Sequence, residues 1–363
     1  MNPKILVCAA RFAVGVVVCS PVVGFADDSA ASIAAGGLVP RRETQIVMAK
    51  EILHIGPTKV IVDYDFRNDT DQDVATEVAF PIPPYENERA EGDIQQQSFR
   101  SFHLWVDGKP IHYESEVKAT IKGKDVTGLL EADHIDIPTF GHYDDTSENP
   151  RGVMQVLVPD LTRLSKPAQS RLIREGLFED QDGTMFSLYT VHLQYHWTQT
   201  FPAHSTVHIR HEYTPIQGYE LLQLETLKNV LGHREPRGDA EAVKYESEDV
   251  RRMEGLCPDP SLLRNLVEWI DSGEGANPHW VDFILTSANT WRQPIEDFTL
   301  IVDRGKPEEP DTQTILSFCP PQNAPVEKLD ADRFQIHLSD FVPKSELRIG
   351  YFDVPVAKPA QKK

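Results

Sequence analysis

The sequence predicts an α+β fold that is predominantly antiparallel β, with a sandwich-like N-terminal portion and a second β-rich portion that carries two helices. Along most of the 363 residues, apolar side chains alternate with polar ones. This period of two is typical of strands that bury one face of an antiparallel sheet. Two stretches, residues 167–175 and 259–272, instead combine helical spacing with capping residues at their ends.

The predicted N-terminal strands form a small sandwich or barrel-like unit. In the second of them Val60, Val62 and Tyr64 share one face, while polar residues occupy the other. Asp107-Gly108 separates the last two and is a strong hairpin signal. These five strands cover residues 44–54, 59–67, 73–80, 99–106 and 110–120.

The middle of the chain is predicted to be less regular. Residues 138–152 are rich in Gly, Pro, Asp and Ser and predict a long loop. Ser165 is a candidate N-cap for the helix at 167–175, and Gly176 is expected to end it. Residues 232–255 are charged and weakly apolar, and we expect a flexible connector there.

The C-terminal part begins with a helix whose N-terminus is marked by Asp259-Pro260. Apolar residues such as Leu262, Leu263 and Leu266 give it one buried stripe, and Gly273 ends it. The strands predicted after it cover residues 280–286, 298–302, 314–318, 334–338 and 347–354.

These segments divide the chain into five parts. They are a signal peptide at 1–26, a β-sandwich-like portion at 27–137, a loop and helix connector at 138–182, a β-rich portion at 183–355 with a helix at 259–272, and a disordered tail at 356–363.

The first 26 residues have the features of a cleavable secretory signal peptide. Lys4 and Arg11 form a basic start, and about a dozen mostly apolar residues follow, fewer than the roughly 20 that a membrane-spanning helix needs. Gly24 and Ala26 supply the small residues that a signal peptidase requires, so cleavage is expected after Ala26. The mature protein is therefore expected to be periplasmic or secreted, with no integral membrane span.

Of the four cysteines, two lie in the signal peptide and Cys257 and Cys319 remain in the mature chain. An even pair of cysteines in an exported protein predicts a disulfide. Two separate buried thiols are the alternative.

The strands at 191–197 and 207–213 contain most of the interesting histidines. If they pair as a hairpin about residues 200–204, Leu193 lies opposite His211, Tyr195 lies opposite Ile209, and the apolar faces coincide. His211 points with the apolar set and is predicted to be a core histidine with a hydrogen-bond partner.

In the same register His196 lies across from His208. Such a pair could supply two ligands of a zinc or copper ion, with Glu212 or His204 as a third. Two solvent-facing polar residues are the alternative interpretation.

The net charge, the motifs that the sequence lacks and the tryptophans bear on which classes of function are possible. The formal net charge is −20, which argues against nucleic acid and anionic membrane surfaces as partners. No G-x-S-x-G, H-E-x-x-H, Walker or dinucleotide-binding pattern is found, so no catalytic residue and no cofactor is assigned. Trp105, Trp197, Trp280 and Trp291 could line a sugar groove, although aromatic residues on alternating strands more often belong to a core.

The chain resembles the bacterial domain of unknown function 4424 family over nearly its whole mature length. This resemblance implies an exported bacterial protein and assigns no activity or functional residue. It rests on residues 35–38 (AGGL), 62–68 (VDYDFRN), 78–82 (VAFPI), 106–110 (VDGKP), 195–202 (YHWTQTFP), 211–215 (HEYTP), 289–298 (NTWRQPIEDF) and 317–319 (SFC).

The sequence thus predicts a non-catalytic envelope protein that binds another macromolecule, either an envelope protein or a polymer, or supports an assembly. A hydrolase acting on envelope or extracellular polymer is one alternative, because an acidic chain offers many carboxylate pairs. A periplasmic protein that binds a metal or a small ligand is the other.

Overall fold

The computed structural model describes residues 28–34, 37–86, 102–138, 164–181, 184–219, 222–273, 277–307 and 311–356. The predicted signal peptide, nearly all of the predicted loop at 138–152 and the predicted tail from 357 lie outside these ranges.

The described residues form five α-helices, and short 3-10 helices cover Thr286–Thr290 and Pro321–Asn323. The α-helices are α1 Thr127–Glu131, α2 Lys166–Arg174, α3 Leu224–Gly232, α4 Ala240–Glu254 and α5 Pro260–Asp271. The strands are β1 Ser29–Ala34, β2 Gly37–Pro40, β3 Ile46–Ile55, β4 Val60–Asn68, β5 Val74–Pro81, β6 Tyr85–Glu86, β7 His103–Val106, β8 Lys109–Pro110, β9 Glu114–Ile121, β10 Lys124–Asp125, β11 Phe178–Gln181, β12 Thr184–Ser187, β13 Thr190–Phe201, β14 Ser205–Tyr213, β15 Gln217–Tyr219, β16 Asn277–Phe283, β17 Ile295–Asp303, β18 Thr312–Phe318, β19 Glu327–Lys328, β20 Arg333–Phe341 and β21 Leu347–Pro355.

Three sheets contain most of these strands. Sheet A has the order β10-β9-β13-β5-β1-β2, and β6 also pairs with β13. Sheet B has the order β19-β20-β17-β3-β4-β14-β7-β8, and sheet C has the order β15-β16-β21-β18. Among the described strands, β3 and β17 form the one parallel pair. The predicted α+β class with mostly antiparallel strands is therefore confirmed.

The main core lies between sheets A and B. On β4 the burial alternates strictly, so Val60, Val62, Tyr64 and Phe66 face inward. Strand β13 of sheet A contributes Leu193, Tyr195, Trp197 and Phe201 to the same cluster. The period-two pattern of the sequence thus produces the two inner faces of a sandwich.

Sheet C separates this core from a layer of helices. On β16, Val281 and Phe283 join the main core, whereas Trp280 packs with the helices on the other face. Leu227 of α3, Met253 of α4 and Leu266 of α5 belong to that second cluster.

Several predicted elements agree with the structure. Helix α2 begins after Ser165, whose hydroxyl accepts a hydrogen bond from the backbone of Ala168, and Gly176 follows its end with a positive φ of 73°. Helix α5 begins after Asp259. The strands predicted at 44–54, 59–67 and 73–80 correspond to β3, β4 and β5 within two residues at each end.

The predicted hairpin of 191–197 with 207–213 is wrong. Strand β13 pairs with β5, β9 and β6 in sheet A, whereas β14 pairs with β4 and β7 in sheet B. Tyr195 lies beside Phe80 and Ser115, and Ile209 lies beside Tyr64 and Val106. Two strands with matching apolar faces can bury those faces side by side in a hairpin or opposite each other across a sandwich. The alternating pattern is the same in both arrangements, so it did not distinguish them.

The prediction of a flexible connector at 232–255 is also wrong, because α4 occupies most of it. Asp239 caps this helix through a hydrogen bond from the backbone of Ala242. Its apolar stripe is narrow, with Met253 the buried apolar residue that joins the helical layer. Helix α3 was not predicted either, so the described residues contain more than the two predicted helices.

The predicted hairpin around Asp107-Gly108 is shorter than expected. Strand β7 pairs there only with the two residues of β8, and β9 leaves to join sheet A.

Strands of both predicted portions share sheets, since β17 pairs with β3 and β14 pairs with β4. No helix of the described part is long and apolar enough to cross a membrane.

Candidate functional site

The structure does not bring the two predicted metal-binding histidines together. Inward residues of β13 and β14 carry odd numbers, so His196 points outward from sheet A and His208 outward from sheet B. Nδ1 of His196 lies 2.7 Å from Oε1 of Glu77, and Nδ1 of His208 lies 3.0 Å from Oδ1 of Asp65. The strand pairing on which the metal prediction depended is wrong, because the two histidines lie on strands of different sheets.

The two suggested third ligands are also engaged elsewhere. Nε2 of His204 lies 2.8 Å from Oδ1 of Asp71, and Glu212 forms an ion pair with Lys59. Within the described ranges, no group of three or more His, Cys, Asp or Glu side chains is arranged to hold a metal ion.

Cys257 and Cys319 form the predicted disulfide, with their Cα atoms 5.1 Å apart. It joins the turn after α4 to the end of β18. The neighbouring Ser317 hydroxyl donates a hydrogen bond to the carbonyl of Leu256. Two links therefore fasten the helical layer to sheet C at one place.

A cleft lies where sheet A, sheet C and α4 meet, and we call it the arginine cleft. Its inner hollow has a volume of about 310 Å³. This is at the lower end of the roughly 300–1,000 Å³ typical of small-ligand sites. The inner hollow is lined by Pro83, Pro84, Tyr85, Glu86, Thr190, Ile216, Gln217, Gly218, Tyr219, Arg252, Trp280, Asp282 and Arg348.

An outer hollow of about 390 Å³ continues from the first and shares Glu86, Arg252 and Arg348 with it. Glu248 and Arg251 of α4 complete its lining. The arginine cleft thus has an inner part with substantial apolar surface and an outer part lined by charged side chains.

Two guanidinium groups flank Trp280 in the inner hollow. The guanidinium carbon of Arg252 lies 5.5 Å from the centre of the indole ring, and that of Arg348 lies 5.6 Å from it. Both distances are within the range of cation–π attraction. Arg252 comes from α4 and Arg348 from β21, so the ring of Trp280 holds guanidinium groups from two different elements.

Carboxylates orient the same two arginines. Arg348 donates from Nε and Nη2 to the two oxygens of Asp282 at 2.6 and 2.9 Å. Arg252 donates from Nη1 to Asp249 at 3.2 Å. About a third of the Arg348 and Asp282 side chains is exposed, at 33% and 31% respectively. This bidentate pair therefore presents donors and acceptors to the cleft in a fixed geometry.

The backbone at Gly218 makes room for Trp280. A methyl group at this position would overlap the indole ring, since Gly218 on β15 lies directly beside Trp280 on β16. Next to it, Gln217 is buried and donates from Nε2 to the carbonyl of Pro57 at 2.7 Å. The Tyr219 hydroxyl donates to Oε1 of Gln217 at 2.9 Å. One wall of the cleft is thus held rigid.

Sequence patterns gave only a weak indication of this site. Trp280 was one of four tryptophans considered for a sugar groove; Trp197 and Trp291 belong to the main core instead. Arg252 lies in the segment predicted to be a connector. The signal that was available is the contrast between an Arg251-Arg252 pair and a chain with an excess of acids.

Comparisons with known proteins give the following matches. A family model described as a domain of unknown function (DUF4424) matches residues 26–349 of the chain. Among curated proteins, none matches. A solved structure from Legionella pneumophila, provisionally described as a nutrient binding protein, is 14% identical with a TM-score of 0.39, and the match covers 90% of this chain and 70% of that one.

Two further solved structures are more distant. A two-domain M1 zinc metallopeptidase bound to L-arginine is 7% identical with a TM-score of 0.25, and the match covers 86% of this chain and 44% of that one. An M1 zinc metallopeptidase from Deinococcus radiodurans, bound to a peptide substrate, is 8% identical with a TM-score of 0.24 and the same two coverages. The chain therefore spans less than half of each metallopeptidase.

Proposed function

We propose that this chain, which belongs to the DUF4424 family of domains of unknown function, is an exported and non-catalytic binding module. Its ligand is a polar organic molecule held in the arginine cleft. The observation that supports this most directly is the placement of Arg252 and Arg348 around Trp280 at an open junction of three elements. Ligand sites are commonly found at such junctions, with a few oriented polar groups beside apolar surface.

The cleft is suited to binding rather than to catalysis. Both carboxylate oxygens of Asp282 already accept hydrogen bonds from Arg348, which fits a role in orienting that arginine for a ligand. The partly buried arginines that line the cleft can supply charge-assisted hydrogen bonds, which bind carboxylate or phosphate groups well.

Export is part of the proposal, and its support is the signal-peptide pattern of residues 1–26. The mature protein would act in the periplasm or outside the cell. Its disulfide fits an oxidising compartment of this kind. Peptide mass spectrometry of the native protein would test the proposal, and we expect a mature N-terminus at Asp27.

A thermal-shift screen against polar metabolites, including organic acids and sugar acids, tests the binding role. We expect one chemical class to raise the melting temperature of the wild type and to have little effect on Arg252→Gln. A ligand at 100 times its Kd contributes about 2.7 kcal/mol, which such a screen detects readily. Arg333→Gln is the matched control, since Arg333 lines a different surface hollow. Stabilisation that is equal in wild type and Arg252→Gln, or no stabilisation by any class, would refute the proposal.

A further inference from the structure

The charges of the arginine cleft are balanced, whereas those of the chain are not. The two hollows are lined by three arginines, Arg251, Arg252 and Arg348, and by three acids, Glu86, Glu248 and Asp282. A densely charged polyanion would require an excess of cations, and it would also be repelled by the net charge of −20. The cleft is therefore suited to a ligand that has few charges and many neutral polar groups.

The paired side chains favour hydroxyl groups in particular. A hydroxyl both donates and accepts hydrogen bonds, so it can donate to Asp282 while it accepts from Arg348. Because these two residues hold each other in a bidentate geometry, they present an acceptor and a donor side by side. Neighbouring hydroxyls on a sugar ring match such an arrangement.

The inner hollow also offers surface for the apolar faces of a ring. Pro83, Pro84 and Ile216 line it together with Tyr219 and Trp280. The two hollows share residues and form one continuous cleft, so a ligand longer than one sugar unit can occupy both. The outer hollow, with Arg251 and Arg252, can then take a carboxylate.

We propose that the ligand of the arginine cleft is a carboxylated saccharide with few charges, such as a uronic acid together with one adjoining sugar unit. The sugar ring lies in the inner hollow with its hydroxyls on Asp282 and Arg348. Its carboxylate, or that of the adjoining unit, binds the arginines of α4. This assignment rests on the proposed function of the cleft and specifies its ligand class.

Isothermal titration calorimetry of the mature protein tests the assignment with three probes. These are digalacturonate, the neutral galactose disaccharide of the same linkage, and a short acidic peptide. We expect digalacturonate to bind, and the neutral disaccharide and the peptide to bind about tenfold more weakly or worse, because charge-assisted hydrogen bonds to the carboxylate or to the hydroxyls are lost.

The variant Asp282→Asn separates a saccharide from a simple anion. It removes a negative charge beside Arg348 and weakens an acceptor for hydroxyl groups. A simple organic anion should therefore bind the variant more tightly than the wild type, whereas a saccharide should bind it about tenfold more weakly. Asp330→Asn, in the separate hollow that also contains Arg333, serves as the control and should leave the affinity unchanged.

Each result of these titrations either supports or overturns the saccharide assignment. Digalacturonate binding that is weakened in Asp282→Asn supports the assignment. The assignment is overturned if the peptide binds more tightly than digalacturonate, if the neutral disaccharide binds equally well, or if Asp282→Asn binds digalacturonate more strongly than the wild type does. A ligand class found in the metabolite screen would still support the cleft as a binding site. If digalacturonate does not bind, the saccharide assignment is likewise overturned. The proposal that the cleft is a binding site fails only if the metabolite screen also finds no ligand whose binding depends on Arg252.

Discussion

Nε2 of His211 lies 2.9 Å from Oδ1 of Asp28, and both side chains are completely buried between sheets A and B. The imidazole stacks on Phe80, with ring centres 4.7 Å apart. The indole of Trp291 donates a hydrogen bond to the carbonyl of Asp28 at 2.5 Å. A hydrogen-bonded pair with several aromatic neighbours thus anchors Asp28 in the main core.

This pair makes stability depend on pH in a predictable direction. Burial raises the pKa of the Asp28 carboxyl above its ordinary value of 3.8, and the neighbouring His211 opposes this only in part. A group with a higher pKa in the folded state takes up a proton on folding. The contribution of the Asp28 carboxyl to stability is therefore fully present below pH 3.8 and is lost as the pH rises through its raised pKa. We expect Asp28→Asn to remove this decline.

Urea denaturation of wild type and Asp28→Asn at a series of pH values above 3.8 measures the effect. The difference between their free energies of unfolding should change across that window and level off above it. Parallel curves for the two proteins would show that Asp28 does not titrate differently on folding.

Removal of the disulfide should cost substantial stability. Cys257 and Cys319 are 62 positions apart, and the chain-entropy model gives about 4 kcal/mol for closing a loop of that length. We expect the double variant Cys257→Ser, Cys319→Ser to unfold at a correspondingly lower urea concentration. The wild type in excess reductant is the companion measurement and should match the variant. A variant as stable as the oxidised wild type would contradict the expectation.

The N-cap of α5 offers a more local test. Oδ1 of Asp259 accepts hydrogen bonds from the backbone N–H groups of Ser261 at 2.7 Å and Leu262 at 2.9 Å. Asp259→Ala should lower the free energy of unfolding by about 1 kcal/mol, which is typical for loss of a cap. Asp271→Ala at the C-terminal end of the same helix is the control. It should be neutral or slightly stabilising, because a negative charge there opposes the helix dipole. Equal losses in both variants would exclude a capping role.

Gly218 provides a structural test of the arginine cleft. Gly218→Val places its side chain in the space of the Trp280 ring and should cost roughly 1–3 kcal/mol, as overpacking usually does. The ring must move, so tryptophan fluorescence should shift and ligand stabilisation should disappear. Gly128→Ala is the control, since nothing lies within 4 Å of the added methyl. A cleft that still binds its ligand in Gly218→Val would mean that Trp280 does not shape the site.

The sequence was sufficient to predict most strands and two helices, because burial on one face leaves a local periodic pattern. Val60 to Phe66 and the capped helix at Asp259 are examples. His211 was also assigned correctly to the core, since it shares the parity of Ile209 and Tyr213. The pattern defines which face of a strand is buried, but it does not define the strand that lies beside it.

That limit explains why the assumed pairing of His196 with His208 was wrong and why the cleft was not predicted. Two strands with matching apolar faces can pair side by side or face each other, and β13 and β14 do the second. The cleft brings together Arg252 of a helix, Trp280 and Arg348 of one sheet, and Glu86 that pairs with another sheet. Each of these residues is ordinary in its own segment, so only the tertiary arrangement reveals a site.

The long-range pairing in sheet B has a consequence for how the chain would reach this fold after the export proposed above. Strand β3 needs β17 as its neighbour, Arg67 binds Glu296 across 229 positions, and Asp28 meets Trp291 across 263. Contacts between such distant segments form slowly, because a very large loop must close first. A chain that crosses a membrane N-terminus first must therefore expose the early strands to the new compartment without their partners until the last third arrives. Unpaired strand edges that stay exposed in this way favour aggregation, so the proposed export would call for a chaperone that covers them.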